Sequence, residues 1–377
     1  MRILFVTHYS ALYGANLSLL RLIVELRRLG VDSIVLLPRK GKICEEFEKE
    51  KIPYIVQYFA WWEYEKKRGN WKYLCLILRE ELKNIYRAFR LRQSLVHENI
   101  DIIHSNGSVF DFGAVLHMFL RKPHVWHLRE FGRLDYGLEF VYPRWLVKRI
   151  FDTSHCVAIS QAVRSYYLNR YISPRNLCVI YNGVLEANKQ NEHDNHCVQF
   201  CCVGLISEKK NQILILEAAA FLIKLGYTNF VVNIIGDGEK QYVTTLQRYV
   251  EENKAEHNVK FWGFRSDIYN TLSTMDVGLM TSRNEAFGRV TIEYMMNECA
   301  VIASNTGANK ELINHGEDGF LFEDNDVKDL ADKMRKLLDD RNLMLAMGHK
   351  AKKKAEKQFN AKLNAKKILD IYKGLMK

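Results

Sequence analysis

Glu285-Ala286-Phe287-Gly288-Arg289-Val290-Thr291-Ile292-Glu293 places two carboxylates eight positions apart with a glycine between them. The apolar run Asp276 to Met280 precedes it and reads as a buried strand. Val290 to Met296 follows with helical spacing. The first carboxylate therefore falls on a loop at a strand's C-terminal end, and the second in the first turns of a helix. In open α/β sheets that edge is where ligands bind. Backbone N–H groups at a helix start hold anions. The stretch predicts a site for a polar substrate that carries hydroxyls and a phosphate.

The pattern extends outward on both sides. Val198 to Val203 reads as a strand. The turn Gly204-Leu205-Ile206-Ser207-Glu208-Lys209-Lys210-Asn211-Gln212 then leads into a helix over Ile213 to Leu225. A glycine turn with lysines before a helix is an anion cradle. Further strands follow at Phe230 to Ile235, at Val259 to Trp262 (ended by Gly263-Phe264), at Ala300 to Ser304 (ended by Asn305-Thr306-Gly307-Ala308) and at Gly319 to Phe322. Helices are expected over Val327 to Leu337, Arg341 to Phe359 and Ala361 to Met376.

The N-terminal half repeats the design. Strands are expected at Arg2 to Thr7, Ser33 to Pro38, Ile52 to Val56, Ile100 to His104, Val125 to Leu128, Cys156 to Ser160 and Leu177 to Tyr181, with a helix over Asn16 to Leu29 and a long one over Leu74 to Val96. Alternating strands and helices give an α/β fold with parallel sheets. The first turn, His8 to Asn16, carries only Gly14 and is no G-x-G-x-x-G, which disfavours a nicotinamide-dinucleotide site. His104 and His127 stand at strand ends, the latter beside Arg129 and Glu130, and are candidates for proton or hydrogen-bond chemistry. The divisions that follow are a domain over 1–184, a polar linker over 185–195, a second domain over 196–360 and a helix over 361–377 that packs back on the first domain.

At 377 residues and 48% hydrophobic content the chain suits two globular domains. No apolar run reaches the roughly 18–20 residues of a membrane span. The first residues read as a strand rather than a signal peptide, so a cytoplasmic location is expected. Eight cysteines without a C-x-x-C pair argue against a metal or disulfide framework. Residues 1–185 hold 28 Lys+Arg against 17 Asp+Glu, net +11, whereas residues 186–377 hold 27 of each. The whole excess therefore lies in the first half, which suits an anionic partner. Residues 58–98 and 121–149 mix aromatic and basic side chains, including Trp61, Trp62, Lys66, Lys67, Arg68 and Lys72. That mixture predicts peripheral contact with an anionic membrane at the inner face of the cell membrane. No nucleic-acid-binding motif accompanies the charge.

These motifs together resemble glycosyltransferase family 4, the group 1 retaining enzymes of GT-B fold. Glu285 and Glu293 match the family's E-x7-E motif. Gly204 to Gln212, Asn182-Gly183-Val184, Thr306-Gly307-Ala308 before Glu311, and Gly14-Ala15 match its other signatures. The resemblance implies two facing Rossmann-like domains with a deep cleft between them, closing over a UDP- or GDP-sugar. It implies that Glu285 contacts the donor sugar and Glu293 the ribose. Phe287, Gly288, Arg289 and Val290 would offer backbone N–H groups to sugar and diphosphate, and Lys210 would hold the diphosphate. Phe264 would lie at the base, Gly14 and Ala15 would close on the donor, and His127 would stand by the reacting sugar. The acceptor would be a saccharide or lipid-linked hydroxyl. Leu205 departs from the pattern, since the family carries arginine there, and Lys209, Lys210 or Arg289 must then serve the phosphates.

No metal or other cofactor is expected. Asp324-Asn325-Asp326 is formally a D-x-D, yet its place before a helix reads as an N-cap. Other readings of the chain are a non-catalytic subunit that partners a membrane glycosyltransferase, and a UDP-sugar epimerase. A glycoside-hydrolase pair fits less well, because its carboxylates flank one bond.

Overall fold

The computed structural model describes residues 1–12, 14–65, 71–168, 170–186 and 197–377. Residues 187–195 of the expected linker lie outside the described residues, as do Lys66, Lys67 and Arg68. The chain forms two compact units, Met1–Gly183 with Ala361–Lys377, and Val184–Asn360.

In the first unit the strands are β1 (Arg2–Val6), β2 (Asp32–Leu37), β3 (Tyr54–Val56), β4 (Glu63–Glu65), β5 (Ile102–Asn106), β6 (His124–Leu128), β7 (Leu138–Phe140), β8 (His155–Ala158) and β9 (Leu177–Val179). Seven of them form a parallel sheet in the order β3-β2-β1-β5-β6-β8-β9. Alternation along β1 sends Ile3 and Phe5 to one face and Leu4 and Val6 to the other, and all four are buried. Burial on both faces is the mark of a parallel strand between helical layers. On the first face, Leu19, Leu22, Ile23 and Leu26 of the helix Gly14–Arg28 meet Ile368, Leu369 and Tyr372 of the helix Ala361–Leu375. The opposite face is covered by Phe59, Ala88, Leu95, Phe110 and Phe112.

Strands β4 and β7 form a separate antiparallel pair with Glu63 opposite Phe140. This pair was not expected, because Glu63-Tyr64-Glu65 has neither the length nor the apolar content of a strand. The first helix begins at Gly14, two residues before the expected start at Asn16. The long helix runs Trp71–Leu95, against an expected Leu74 to Val96. No helix among the described residues is long and apolar enough to cross a membrane.

The second unit holds β10 (Val198–Val203), β11 (Phe230–Ile235), β12 (Val259–Gly263), β13 (Val277–Met280), β14 (Ala300–Ser304) and β15 (Phe320–Phe322). All pair in parallel, in the order β12-β11-β10-β13-β14-β15. The strand order runs outward from β10 in one direction and then resumes at β13 on its other side. Asp326 caps the helix Val327–Asp339, its Oδ1 accepting from the N–H groups of Lys328 and Asp329 at 2.9 and 3.0 Å. Asp326 of the D-x-D triplet is thus the helix cap, worth about 1 kcal/mol.

Candidate functional site

The reversal of strand order between β10 and β13 opens a crevice at the C-terminal ends of those two strands. Lys210 enters it from the turn after β10, and Glu285 from the turn after β13. Their side chains form an ion pair, Lys210 Nζ to Glu285 Oε1. Thr281 donates its hydroxyl to the Lys210 carbonyl at 2.9 Å, which fixes one turn on the other. Burial pushes the Glu285 carboxyl up. The Lys210 charge and hydrogen bond, the Ser282 hydroxyl and the Lys209 charge outweigh that push and hold it below the usual carboxylate range. Glu285 is therefore an anion at neutral pH.

Gly288 caps the helix Arg289–Met296 with φ of 76°. A Cβ there would stand 3.1 Å from both Asn309 Oδ1 and Thr291 Oγ1, in a backbone region that side chains disfavour. Glycine thus permits the sharp entry that turns the start of this eight-residue helix toward the crevice. Glu293 lies one turn in. It is buried and receives Arg289 Nε at 2.9 Å. The neighbouring Tyr294 bridges the two strands of the reversal. Its phenol oxygen accepts from Val203 N–H at 2.7 Å and donates to the Leu279 carbonyl at 3.5 Å. That bridge sets the height of the helix over the crevice, and nothing in local sequence spacing announces it.

The loop after β14 closes the same site from beneath. Ala308 N–H donates to the Glu285 carbonyl at 2.9 Å, and Asn284 N–H to Thr306 Oγ1 at 3.4 Å. Ser304 donates to the Ser282 carbonyl at 2.8 Å. Asn309, fully buried, reaches back to Ser304 and accepts from Thr291.

Lys210, Glu285, Gly288, Arg289 and Glu293 are thus assembled around the β10–β13 reversal, with Val290 in the same first helical turn. Phe287 directs its ring into the core, 4% exposed, at 6.3 Å from the Phe359 ring. Phe264 follows β12, two strands from the reversal. Its ring is 69% exposed and its N–H is held by Asp237 Oδ1 at 3.0 Å. Leu205 is 61% exposed, so the position of the missing arginine projects from the turn without filling any core.

In the first unit the strand order reverses between β1 and β5. Gly14 begins the helix after β1, and Ala15 follows in its first turn. Asn16 organises that turn. Its Oδ1 accepts from Thr7 at 2.7 Å, and its Nδ2 donates to the carbonyls of Tyr9 and Ala11 at 3.0 and 2.8 Å. Asn106 at the end of β5 reaches the Ala15 carbonyl at 3.4 Å.

His127 on β6 is fully buried, with His104 Nε2 3.1 Å and Arg129 Nη2 3.3 Å from its Nδ1. Arg129 also donates to Asn106 Oδ1 and, at 2.6 Å, to Asn182 Oδ1. Asn182 of the expected Asn-Gly-Val closure thus anchors the arginine beside the histidine.

Two acids lie near this edge. Glu130 Oε1 accepts from Ser108 N–H and Oγ at 2.5 and 2.9 Å. Burial nevertheless pushes its carboxyl up to about 7, the Ser108 bonds opposing. Glu63 is pushed up further by burial and by Glu130, and neither of its oxygens has a hydrogen-bond partner among the described residues.

A carboxyl raised in the folded state holds a proton that the unfolded chain has released, so stability falls as pH climbs between the two values. For Glu130 that window runs from the ordinary 4.5 to about 7. The first unit should therefore be more stable at about pH 5 than at about pH 8, by on the order of 3 kcal/mol from this group. Glu130→Gln should remove this group's share of the dependence and leave that of Glu63. Chemical denaturation at both pH values checks this, and a flat wild-type profile contradicts it.

The family model described as "Glycosyl transferases group 1" matches residues 185–354, and "Glycosyltransferase Family 4" matches residues 13–186. The capsular polysaccharide biosynthesis glycosyltransferase CapM of Staphylococcus aureus is 26% identical over 253 residues, 62% of this chain and 65% of that protein. The match therefore spans a little less than two thirds of CapM. The Escherichia coli UDP-Gal:alpha-D-GlcNAc-diphosphoundecaprenol alpha-1,3-galactosyltransferase is 25% identical over 390 residues, 97% of each chain. Among solved structures, Anabaena HepE in complex with UDP has a TM-score of 0.81 at 22% identity, covering 99% of this chain and 100% of that one. The shared architecture is GT-B, with two Rossmann-like domains. The two family models adjoin and together run from residue 13 to residue 354, and the chain belongs to the group 1, family 4 glycosyltransferases.

Proposed function

We propose that the protein is a retaining hexosyltransferase. It moves a sugar from a UDP-sugar, or alternatively a GDP-sugar, to a hydroxyl of a saccharide or lipid-linked acceptor in cell-surface polysaccharide or glycolipid synthesis. The observation that carries this is the Lys210–Glu285 pair at the strand reversal, beside the helix start that bears Glu293. A diphosphate entering there takes Lys210 from Glu285, and the released carboxylate accepts the sugar hydroxyls. Glu293, oriented by Arg289, accepts the vicinal hydroxyls of the ribose. The bond between the anomeric carbon and the diphosphate oxygen breaks. Its electron pair stays on the diphosphate, which Lys210 and the N–H groups at Gly288 stabilise. The acceptor oxygen bonds to the anomeric carbon from the same face, and its proton leaves with the diphosphate. In this complex Glu285 is engaged with the sugar hydroxyls, so no covalent intermediate is invoked. The names of the relatives support the substrate classes: a UDP-sugar and a diphosphoundecaprenol acceptor for one, capsular polysaccharide for another.

Calorimetry with UDP and GDP, followed by turnover of their sugars, tests the reading. Nucleotide binding, turnover and a product of unchanged anomeric configuration are expected. The assay is run with a chelator present, because Asp326 is committed to its helix cap and Asn325 Oδ1 to Arg283 at 2.6 Å. An inverted product removes retention. Absence of nucleotide binding at about 1 mM, which means an affinity weaker than about −4 kcal/mol, favours the non-catalytic subunit.

The acceptor side is proposed to rest on an anionic membrane at its cytoplasmic face. On the helix Trp71–Leu95, Leu78, Leu82, Ile85, Tyr86 and Phe89 are exposed at spacings of three and four. Such spacing places them along one apolar stripe. Arg79, Arg90 and Arg92 are exposed on the same helix, a combination that suits an interfacial helix. Leu82→Glu with Phe89→Glu should lower co-sedimentation with phosphatidylserine vesicles by about tenfold or more while leaving turnover of a soluble acceptor intact. Undiminished sedimentation removes this face from the reading.

A further inference from the structure

Three aromatic side chains from remote parts of the sequence form one line in the first unit. The Tyr372 hydroxyl stands 2.7 Å from His104 Nδ1. His104 Nε2 stands 3.1 Å from His127 Nδ1, and Arg129 Nη2 is 3.3 Å from the same nitrogen. His104, His127 and Tyr372 are all fully buried. His127 Nε2 has no hydrogen-bond partner among the described residues.

Proton positions along this line follow from its one permanent charge. The guanidinium of Arg129 can only donate. His127 Nδ1 must therefore accept, and carries no proton. His104 Nε2 faces the same lone pair, so it is the N–H end of its ring. His104 Nδ1 is then an acceptor, and the Tyr372 hydroxyl donates to it. Burial, the Arg129 charge and the neighbouring imidazole hold His127 well below the usual histidine range, and burial and Arg129 do the same for His104. Both rings are neutral, so His127 carries its proton on Nε2, the unpartnered nitrogen.

We propose that Tyr372 and His104 are positioning residues that, with Arg129, lock His127 as a hydrogen-bond donor through Nε2 and deny it the role of a base. The inference rests on the reading of His127 as part of the transfer site. The ligand atom it fits is an oxygen lone pair, such as that of a sugar hydroxyl or the ring oxygen of the donor. The last link is carried by the helix Ala361–Leu375, so this helix contributes to the site as well as to the core. The titratable and charged groups that face His127 are Arg129, on the loop after its own strand, and His104 on β5, with Tyr372 behind His104. Arg129 and His104 both disfavour a second proton on His127.

Nitrogen-15 NMR of the full-length protein with labelled histidine reads the lock without reading activity. The expected result is a neutral His127 protonated on Nε2 across about pH 5 to 8, the range in which a free histidine titrates. A proton on His127 Nδ1, or titration of His127 within that range, overturns the proposal. Tyr372→Phe keeps the packed ring and removes the hydroxyl. It leaves His104 Nδ1 without its donor, which should shift the His104 nitrogen-15 signals and lower kcat several-fold at constant donor KM. Unchanged His104 signals and kcat remove Tyr372 from the lock. His127→Gln retains a donor near the Nε2 position and should keep activity within about tenfold, whereas His127→Leu should lose about 10²-fold or more. Equal losses in the two variants overturn the donor role. Nε2 protonation in a protein that turns over no nucleotide sugar would instead defeat the transferase reading and leave the lock standing.

Discussion

Lys210→Ala should lower kcat/KM for the nucleotide sugar by about 10²- to 10³-fold, corresponding to about 2.7–4 kcal/mol of transition-state stabilisation. Most of the loss belongs in kcat, because charge accumulates on the diphosphate as the glycosidic bond breaks. Two local facts make the loss large. Leu205 stands where a second cation is expected, and Arg289 is held by Glu293 at 2.9 Å, so neither position supplies an equivalent charge. The substitution also changes Glu285. Burial is the strongest influence on that carboxyl, and Lys210 is the first of the groups opposing it. Without the ammonium the carboxyl should rise, so the variant should lose donor affinity as pH falls at values where the wild type is unaffected. Steady-state kinetics at several pH values measures both effects. A kcat within twofold of wild type would remove Lys210 from the phosphate role.

The second large effect is expected from a methyl group. Gly307 has φ of 50°, and a Cβ there would collide with the Glu285 carbonyl oxygen and stand 2.7 Å from the Glu285 amide nitrogen. Backbone cannot rotate out of the way as a side chain can. The left-handed conformation adds roughly 1–2 kcal/mol for any L-residue. Gly307→Ala should therefore push the Glu285 turn away from Lys210. A displacement of about 1 Å at a reacting group costs on the order of 10²-fold. Since the strand β14 and its sheet partners lie outside the collision, the second unit should stay folded and lose only a few degrees in Tm. Gly316→Ala is the control: its φ is also positive, at 81°, yet no atom lies within 4 Å of the added carbon. The control should show a small stability loss and unchanged kinetics. Equal kinetics for the two variants would separate Gly307 from the site.

The parts of this molecule that sequence made legible are those encoded by local period and punctuation. Apolar runs marked β10 through β14, and the loops after β10, β13 and β14 carry Lys210, Glu285 and Gly307. Asp326 was readable as a cap because capping is a matter of a few adjacent residues. What escaped notice depends on register between distant strands. His104 and His127 appeared separately as strand-end histidines. Their contact requires the β5–β6 register that sets Asn106 opposite His127. Tyr372 lies 268 residues from His104 and had only an apolar periodicity to its name. Tyr294 looks like an ordinary helix residue until β10 and β13, which it bridges, are known, and Asn309 until its bonds to Ser304 and Thr291 are seen. The pair β4–β7 escaped for a different reason: three residues with two glutamates carry no strand signal.

The helix Ala361–Leu375 is synthesised only after the whole second unit, yet Ile368, Leu369 and Tyr372 complete the hydrophobic layer over β1 and the first helix. Each such side chain contributes about 1.5–3 kcal/mol when buried. On the ribosome, the second unit therefore has its full complement of residues earlier than the first, although the first begins to emerge long before it. Until the closing helix arrives, Leu19, Leu22 and Ile23 present an incomplete apolar face, a condition that favours chaperone capture and aggregation. Stalled translation should thus strand the N-terminal unit, the one emitted first, in its least protected state.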